Sequence, residues 1–150
     1  MRIEEILDQF SRQTGLALTL DASRSCRLVF DGRVSVDIEA PEARPDTVFL
    51  HSAVGVLPAS GREAIYEQLL SGNLFGRDTG AAVLAVDRDL GEVVLLRRLE
   101  TRHLEYADFT EALEDFIARV GAWTEKLKSG SYDGAGRPHE AFADHSMMRV

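Results

Sequence analysis

Residues that could carry out chemistry are few in this chain, and they do not form a group. The single cysteine, Cys26, precedes Arg27, a neighbour able to lower a thiol pKa, but an unpaired thiol on a strand is more often a small packing residue. His51 lies in an apolar run, and His139 and His145 have no further ligands at the spacing of a zinc site. We therefore expect neither a metal nor a cofactor.

Motifs for phosphate, nucleotide and acyl chemistry are also absent. Gly72, Gly76 and Gly80 lie close together, but no P-loop lysine follows them and their spacing is not that of a dinucleotide-binding loop. The chain has neither the G-x-S-x-G motif of a nucleophilic serine nor the H-E-x-x-H motif of zinc peptidases. The sequence therefore favours a binding protein, with an enzyme or small-molecule-binding protein as the least favoured alternative.

The composition is typical of one soluble domain. The 150 residues are 45% hydrophobic and 28% charged, and their net charge is −8. DNA and anionic membranes are bound first by basic surface, so we expect neither nucleic acid nor a membrane as a partner. The acidic N-terminus does not resemble an export signal, and no apolar run is long enough to span a membrane. These features predict a cytoplasmic protein.

Periodicity predicts the elements in the first half of the chain. Apolar residues at helical spacing indicate a helix over residues 2–14. Two β-rich runs, 26–30 and 33–39, flank Asp-Gly at positions 31–32, which is the strongest short signal for a β-hairpin. The apolar run 47–57 indicates a third strand. The first half therefore predicts one helix followed by three strands.

A second helix begins near a predicted capping box formed by Ser60 and Glu63. It ends at the Ser-Gly-Asn sequence of residues 71–73, where glycine and asparagine accept a left-handed backbone. Leu74 and Phe75 then form an apolar pair inside a polar, glycine-containing loop. Two large apolar side chains in such a loop require a cover from elsewhere.

The last part of the predicted domain is a hairpin and a long helix. Strands 79–86 and 92–99 are apolar on both faces, whereas antiparallel strands usually alternate because one face meets water. An amphipathic helix over 108–128, with a predicted capping box of Asp108 and Glu111, can cover one face. A second subunit can cover the other.

The order α-β-β-β-α-β-β-α predicts an α+β fold in which helices pack on a twisted antiparallel sheet. This domain spans residues 1–128. Periodicity stops after it, and residues 129–150 are rich in turn formers, so we expect a flexible C-terminal tail.

The order of elements and the middle of the chain resemble the class I type III secretion chaperones, the CesT/Tir chaperone family. The likeness covers about residues 1–128. Its most specific residues are three pairs that lead into the hairpin, Leu69-Leu70, Asn73-Leu74 and Thr79-Gly80. The resemblance implies a homodimer in the bacterial cytoplasm. It also implies that the dimer binds the N-terminal segment of a secreted effector and keeps it soluble and secretion-competent without ATP.

The resemblance also implies two sets of site residues. The expected dimer interface comprises Leu69, Leu74, Phe75, Val93 and Leu95. The expected effector-binding residues are Ile6, Phe10, Leu28, Val34 and Val36. A homodimeric interaction or regulatory domain of the same fold outside secretion remains the alternative.

Overall fold

The computed structural model describes residues 1–129 of the chain. Its elements are, in order, α1 (Ile3–Thr14), β1 (Ser25–Phe30), β2 (Val34–Glu39), β3 (Thr47–Val56), α2 (Arg62–Asn73), a 3₁₀ turn (Leu74–Gly76), β4 (Val83–Asp87), β5 (Glu92–Glu100) and α3 (Tyr106–Lys128). The predicted order α-β-β-β-α-β-β-α and the α+β class are confirmed. The predicted tail lies outside the described residues.

The five strands form one antiparallel sheet in the order β1-β2-β3-β5-β4. The tip of the β1–β2 hairpin is the predicted Asp-Gly turn, with φ of 50° at Asp31 and 63° at Gly32. The β3–β5 ladder extends from Thr47↔Glu100 to Val56↔Glu92 with a bulge before Gly55. The β2–β3 ladder has only the pairs from Asp37↔His51 to Glu39↔Phe49, so the sheet is poorly joined there.

The core lies between one face of the sheet, here called the inner face, and the helices. Helix α3 supplies its largest side chains, and Phe109, Phe116 and Trp123 are almost completely buried. Helix α1 packs beside α3, where the rings of Phe10 and Phe109 meet edge to face at 6.5 Å. Helix α2 packs against β4. The predicted covering role of the last helix is confirmed.

Two predicted helix starts are wrong. Helix α2 begins at Arg62 after Gly61, which has a left-handed φ of 73° and no side-chain cap, so the predicted box of Ser60 and Glu63 does not form. The loop before the helix turns through Gly61 instead, a conformation that a residue with Cβ adopts at a cost.

Helix α3 begins at Tyr106, two residues earlier than predicted. Its capping box joins Glu105 and Asp108, each side chain accepting from the other's main-chain N–H. The predicted pair of Asp108 and Glu111 is one turn too late, because Glu105 satisfies the same requirement at an earlier position.

Strand β4 also begins later than predicted, at Val83. Residues 79–82 form a turn in which the N–H of Ala82 donates to the carbonyl of Thr79 at 3.0 Å. The predicted strand over 79–86 therefore keeps only its second half, because Gly80 adopts a left-handed φ of 59°.

Candidate partner-binding surfaces

Helix α3 holds the turn that carries Leu74 and Phe75. A Cβ on Gly72 would lie 2.8 Å from the ring of Trp123, so glycine allows this close approach. The indole N–H of Trp123 donates to the carbonyl of Asp78 at 2.9 Å. At Gly80, the guanidinium of Arg119 occupies the space that a Cβ would need. The loop is therefore fixed from below at both ends.

Asn73 ties the same turn to the edge of the sheet. Its Oδ1 accepts from the N–H of Leu84 at 2.7 Å, and its Nδ2 donates to the carbonyl of Leu84 at 3.0 Å. One side-chain amide thus takes both main-chain positions that a neighbouring strand would use. The β4 edge is closed to strand addition at its second residue.

The turn presents apolar side chains outward. Phe75 is 64% exposed and has a left-handed φ of 54°, which is uncommon for a residue with a large side chain. Leu74 is 37% exposed, and Leu70, one helical turn earlier in α2, is 70% exposed. Backbone strain of this kind persists where the surroundings fix it, and it concentrates at functional surfaces.

The outer face of the sheet is apolar over β5 and β4. Cross-strand partners point to the same side, and the pairs Val83↔Leu96 and Ala85↔Val94 lie opposite the buried pair Leu84↔Leu95. We call Val83, Ala85, Val94 and Leu96 the outer apolar patch. No element of residues 1–129 covers it, as the excess of apolar residues in this hairpin predicts.

The outer face is ionic over β1, β2 and β3. Arg27 donates to both carboxylate oxygens of Asp37, at 2.7 and 3.0 Å, and this bonding raises the pKa of the guanidinium. Nε2 of His51 lies 3.0 Å from a carboxylate oxygen of Glu39. The outer face is thus divided into a charged half and an apolar half.

The structure separates the five predicted dimer-interface residues into two groups. Leu69, Val93 and Leu95 are at most 4% exposed and face the core, so their side chains are not available to a second copy. The expectation that they lie at the surface is wrong, because α3 covers the inner face of the hairpin. Leu74 and Phe75 are exposed.

The five predicted effector-binding residues divide in the same way. Ile6, Leu28 and Val36 are at most 2% exposed and belong to the core, so the expectation that they line an open groove is wrong. Phe10 and Val34 pack against the core and stay partly exposed. The alternation of the early strands places their apolar set on the inner face, which α1 and α3 cover.

The exposed apolar residues that sequence reasoning missed lie one position away. Val29 on β1 is 50% exposed, next to buried Leu28. A usable signal was the charge of its strand neighbours. Arg27 and Asp37 are paired across β1 and β2 and must face solvent, and Val29 shares the side of Arg27.

Strand β1 forms the second edge of the sheet. The N–H of Ala40 donates to the carbonyl of Arg24, and hydrogen bonding to β2 alternates along an antiparallel strand. The main-chain groups of Ser25, Arg27 and Val29 therefore point away from β2. Those of Ser25 are bonded to Asp21, whereas those of Arg27 and Val29 meet no other strand.

Chemistry-bearing groups remain scattered within residues 1–129. This part of the chain has no cluster of histidine, cysteine and acidic side chains able to hold a metal ion. Burial, and then the charges of Asp21 and Asp37, raise the pKa of the Cys26 thiol to about 11, so this thiol is poorly nucleophilic. None of the helices between residues 1 and 129 is long and apolar enough to cross a membrane.

Known proteins share this sequence and fold. The Chlamydia pneumoniae protein CPj0713/CpB0740 is 30% identical over 129 residues, which are 85% of this chain and 98% of that protein. The ExsC–ExsE complex matches at 25% identity with a TM-score of 0.69, over 83% of this chain and 92% of the other. The HopA1–SchA chaperone–effector complex matches in fold, at 18% identity with a TM-score of 0.68, over 82% of this chain and 93% of the other.

Sequence, fold and the two exposed apolar regions agree with the family resemblance. The model of the Tir chaperone protein (CesT) family matches residues 5–124. This chain belongs to the Tir chaperone protein (CesT) family.

Proposed function

We propose that this protein is a type III secretion chaperone that binds the N-terminal segment of a cognate effector as an extended chain. It acts in the bacterial cytoplasm as a homodimer, without ATP and without catalysing a reaction. Family membership and the likeness to a chaperone–effector complex support this role. An extended client stays soluble because its apolar side chains are covered, and it stays unfolded because its backbone is paired with the chaperone.

The difference between the two sheet edges carries the proposal. At the β4 edge, Asn73 occupies the main-chain groups of Leu84. At the β1 edge, the main-chain groups of Arg27 and Val29 are open, and the side chains of Val29 and Phe30 are 50% and 44% exposed. A client strand therefore adds to β1, where it finds both backbone partners and apolar contacts.

A second copy is the proposed cover of the turn Leu74–Gly76 and of the outer apolar patch. The turn is rigidly held by Asn73 and Trp123, so little conformational freedom is lost when a partner buries it. Large aromatic side chains that are fixed before binding are typical anchors of protein interfaces. This leaves β1, at the opposite edge of the sheet, free for the client.

The test is capture of effector N-terminal segments by Val29→Pro and Val29→Thr. Proline removes the outward N–H of an edge strand without breaking the β1–β2 ladder, whereas threonine keeps the N–H and the branched shape. Loss of about one hydrogen bond, together with the steric cost of the ring, predicts about tenfold weaker binding for Val29→Pro. Val29→Thr should bind as the unmodified chain does.

The binding partners in this test are the N-terminal segments of the effectors secreted by the source bacterium, titrated against the purified chain. The thermal unfolding of each variant is recorded to show that the fold is kept. Failure of every segment to bind the unmodified chain would refute the chaperone role. Equal affinities of the two variants would refute the β1 edge as the site.

A further inference from the structure

The sheet contains a cleft where β2 and β3 separate. Their ladder ends at Asp37↔His51, and one position further the hydroxyl of Ser52 donates to the carbonyl of Ser35 at 2.6 Å. Beyond this bond lies a cleft of about 510 Å³. The side chains of α3 form part of its wall, and its lining includes Arg33, Val34, Ser52, Ala53, Val120 and Thr124.

The end of α3 is close to this cleft. Thr124 lines it, and Leu127, about one turn later, contacts Gly55 on β3. Ser129 lies five residues after Thr124, which is about 7 Å along a helix axis. Residues 130–150 thus leave the described part of the chain beside the opening between β2 and β3.

The composition of segment 130–150 matches the cleft. Its apolar group Ala-Phe-Ala at 141–143 is flanked by Glu140 and Asp144. Phe142 follows Ser129 by 13 residues, a reach of up to about 45 Å when extended. The family match ends at residue 124, so the segment is an addition to the shared fold.

Charge supports the same occupant. Arg33 is exposed at the mouth of the cleft and forms no ion pair with any residue in 1–129. Two carboxylates on either side of an apolar group complement an apolar cleft with a cation at its mouth. Arg33 can therefore pair with Glu140 or Asp144 while Phe142 enters the cleft.

We propose that segment 130–150 folds back over the end of α3 and places Phe142 in the cleft between β2 and β3. The segment is then an intramolecular cover of the outer face at the point where the sheet is weakest. This proposal concerns the chain alone and does not depend on the identity of a client.

Hydrogen exchange of full-length variants, followed by mass spectrometry, tests this inference. Phe142→Ser should accelerate exchange of the amides in 33–36 and 52–54 by roughly tenfold, the change expected when a cover present nine-tenths of the time is lost. Tyr132→Ser, a matched change in the same segment, should exchange as the unmodified chain does. Unchanged exchange in Phe142→Ser, or an equal increase in Tyr132→Ser, would overturn the proposal.

A charge reversal gives an independent readout. Arg33→Glu should accelerate the same amides, and addition of Glu140→Arg and Asp144→Arg should restore slow exchange. A triple variant that exchanges as fast as Arg33→Glu would contradict the contact between the segment and the cleft.

Discussion

The bond pair between Asn73 and Leu84 leads to a quantitative prediction for Asn73→Ala. The amide of Asn73 accepts from the N–H of Leu84 and donates to its carbonyl, at 2.7 and 3.0 Å. Alanine removes both partners and leaves two main-chain groups of a partly buried strand edge without a hydrogen bond. No apolar packing is lost in compensation, because the Cβ remains.

The magnitude follows from these two bonds. Each is worth about 0.5–1.5 kcal/mol, so the free energy of unfolding should fall by about 1–3 kcal/mol. A domain of this size loses about 4 °C in Tm for each kcal/mol, so the Tm should fall by about 4–12 °C. The change is smaller than the loss of a core side chain and larger than most surface substitutions.

Urea denaturation followed by tryptophan fluorescence measures this change. Trp123 is the only tryptophan and is 1% exposed, so its emission reports exposure of the α3 packing surface. Protein concentration must be the same for every variant, because dimer formation stabilises the folded state by mass action. The urea midpoint should fall without a change in slope.

Ser71→Ala is the matched control. Ser71 is exposed on the same helix, two residues before Asn73, and its hydroxyl makes no side-chain hydrogen bond among residues 1–129. This substitution should leave the midpoint unchanged or raise it slightly, since alanine is the better helix former. If Asn73→Ala and Ser71→Ala differ by less than about 0.5 kcal/mol, the amide does not close the β4 edge energetically.

The remaining predictions concern the dimer and the thiol. Phe75→Asp should sediment near the monomer mass of 16.6 kDa, while Phe75→Leu stays dimeric; a dimeric Phe75→Asp would exclude the turn from the interface. Leu95→Asp should unfold the chain, since this side chain is fully buried, and a folded monomer in circular dichroism and sedimentation would contradict that placement. With the pKa of Cys26 near 11, alkylation by iodoacetamide at pH 8 should be about tenfold to a hundredfold slower than that of a free thiol, and a rate equal to that of a free thiol would contradict its burial. Because the folded pKa lies above the unfolded value, the associated stability is complete below about pH 8.5 and is lost as pH rises towards 11.

The elements of this fold were predictable because each has a strong local signal. Helix α3 repeats apolar residues at helical spacing over its whole length, and the Asp-Gly turn at 31–32 requires the positive φ that it shows. Helix starts were less predictable. Several neighbouring side chains can satisfy the same free N–H groups, and Glu105 does so before Asp108 and Glu111 can.

The site residues were less predictable than the elements. Sequence reasoning identified the exposed pair Leu74 and Phe75, since two apolar residues in a polar loop have no local cover. It chose the wrong members of the hairpin, Val93 and Leu95, because a strand that is apolar on both faces carries no internal signal for which face is inward.

The sequence alone determines that this chain forms a helix-covered antiparallel sheet, that it lacks the groups for catalysis by known motifs, and that its apolar content exceeds what one domain covers. These properties depend on periodicity, motif spacing and composition, all of which are local. The tertiary structure decides which apolar residues remain outside. Packing of α3 on the inner face buries Val93 and Leu95, and the contact of Trp123 with Gly72 holds Phe75 outward. The side-chain amide of Asn73 closes one sheet edge and leaves β1 as the open one, a contact between residues 11 positions apart that no local pattern encodes.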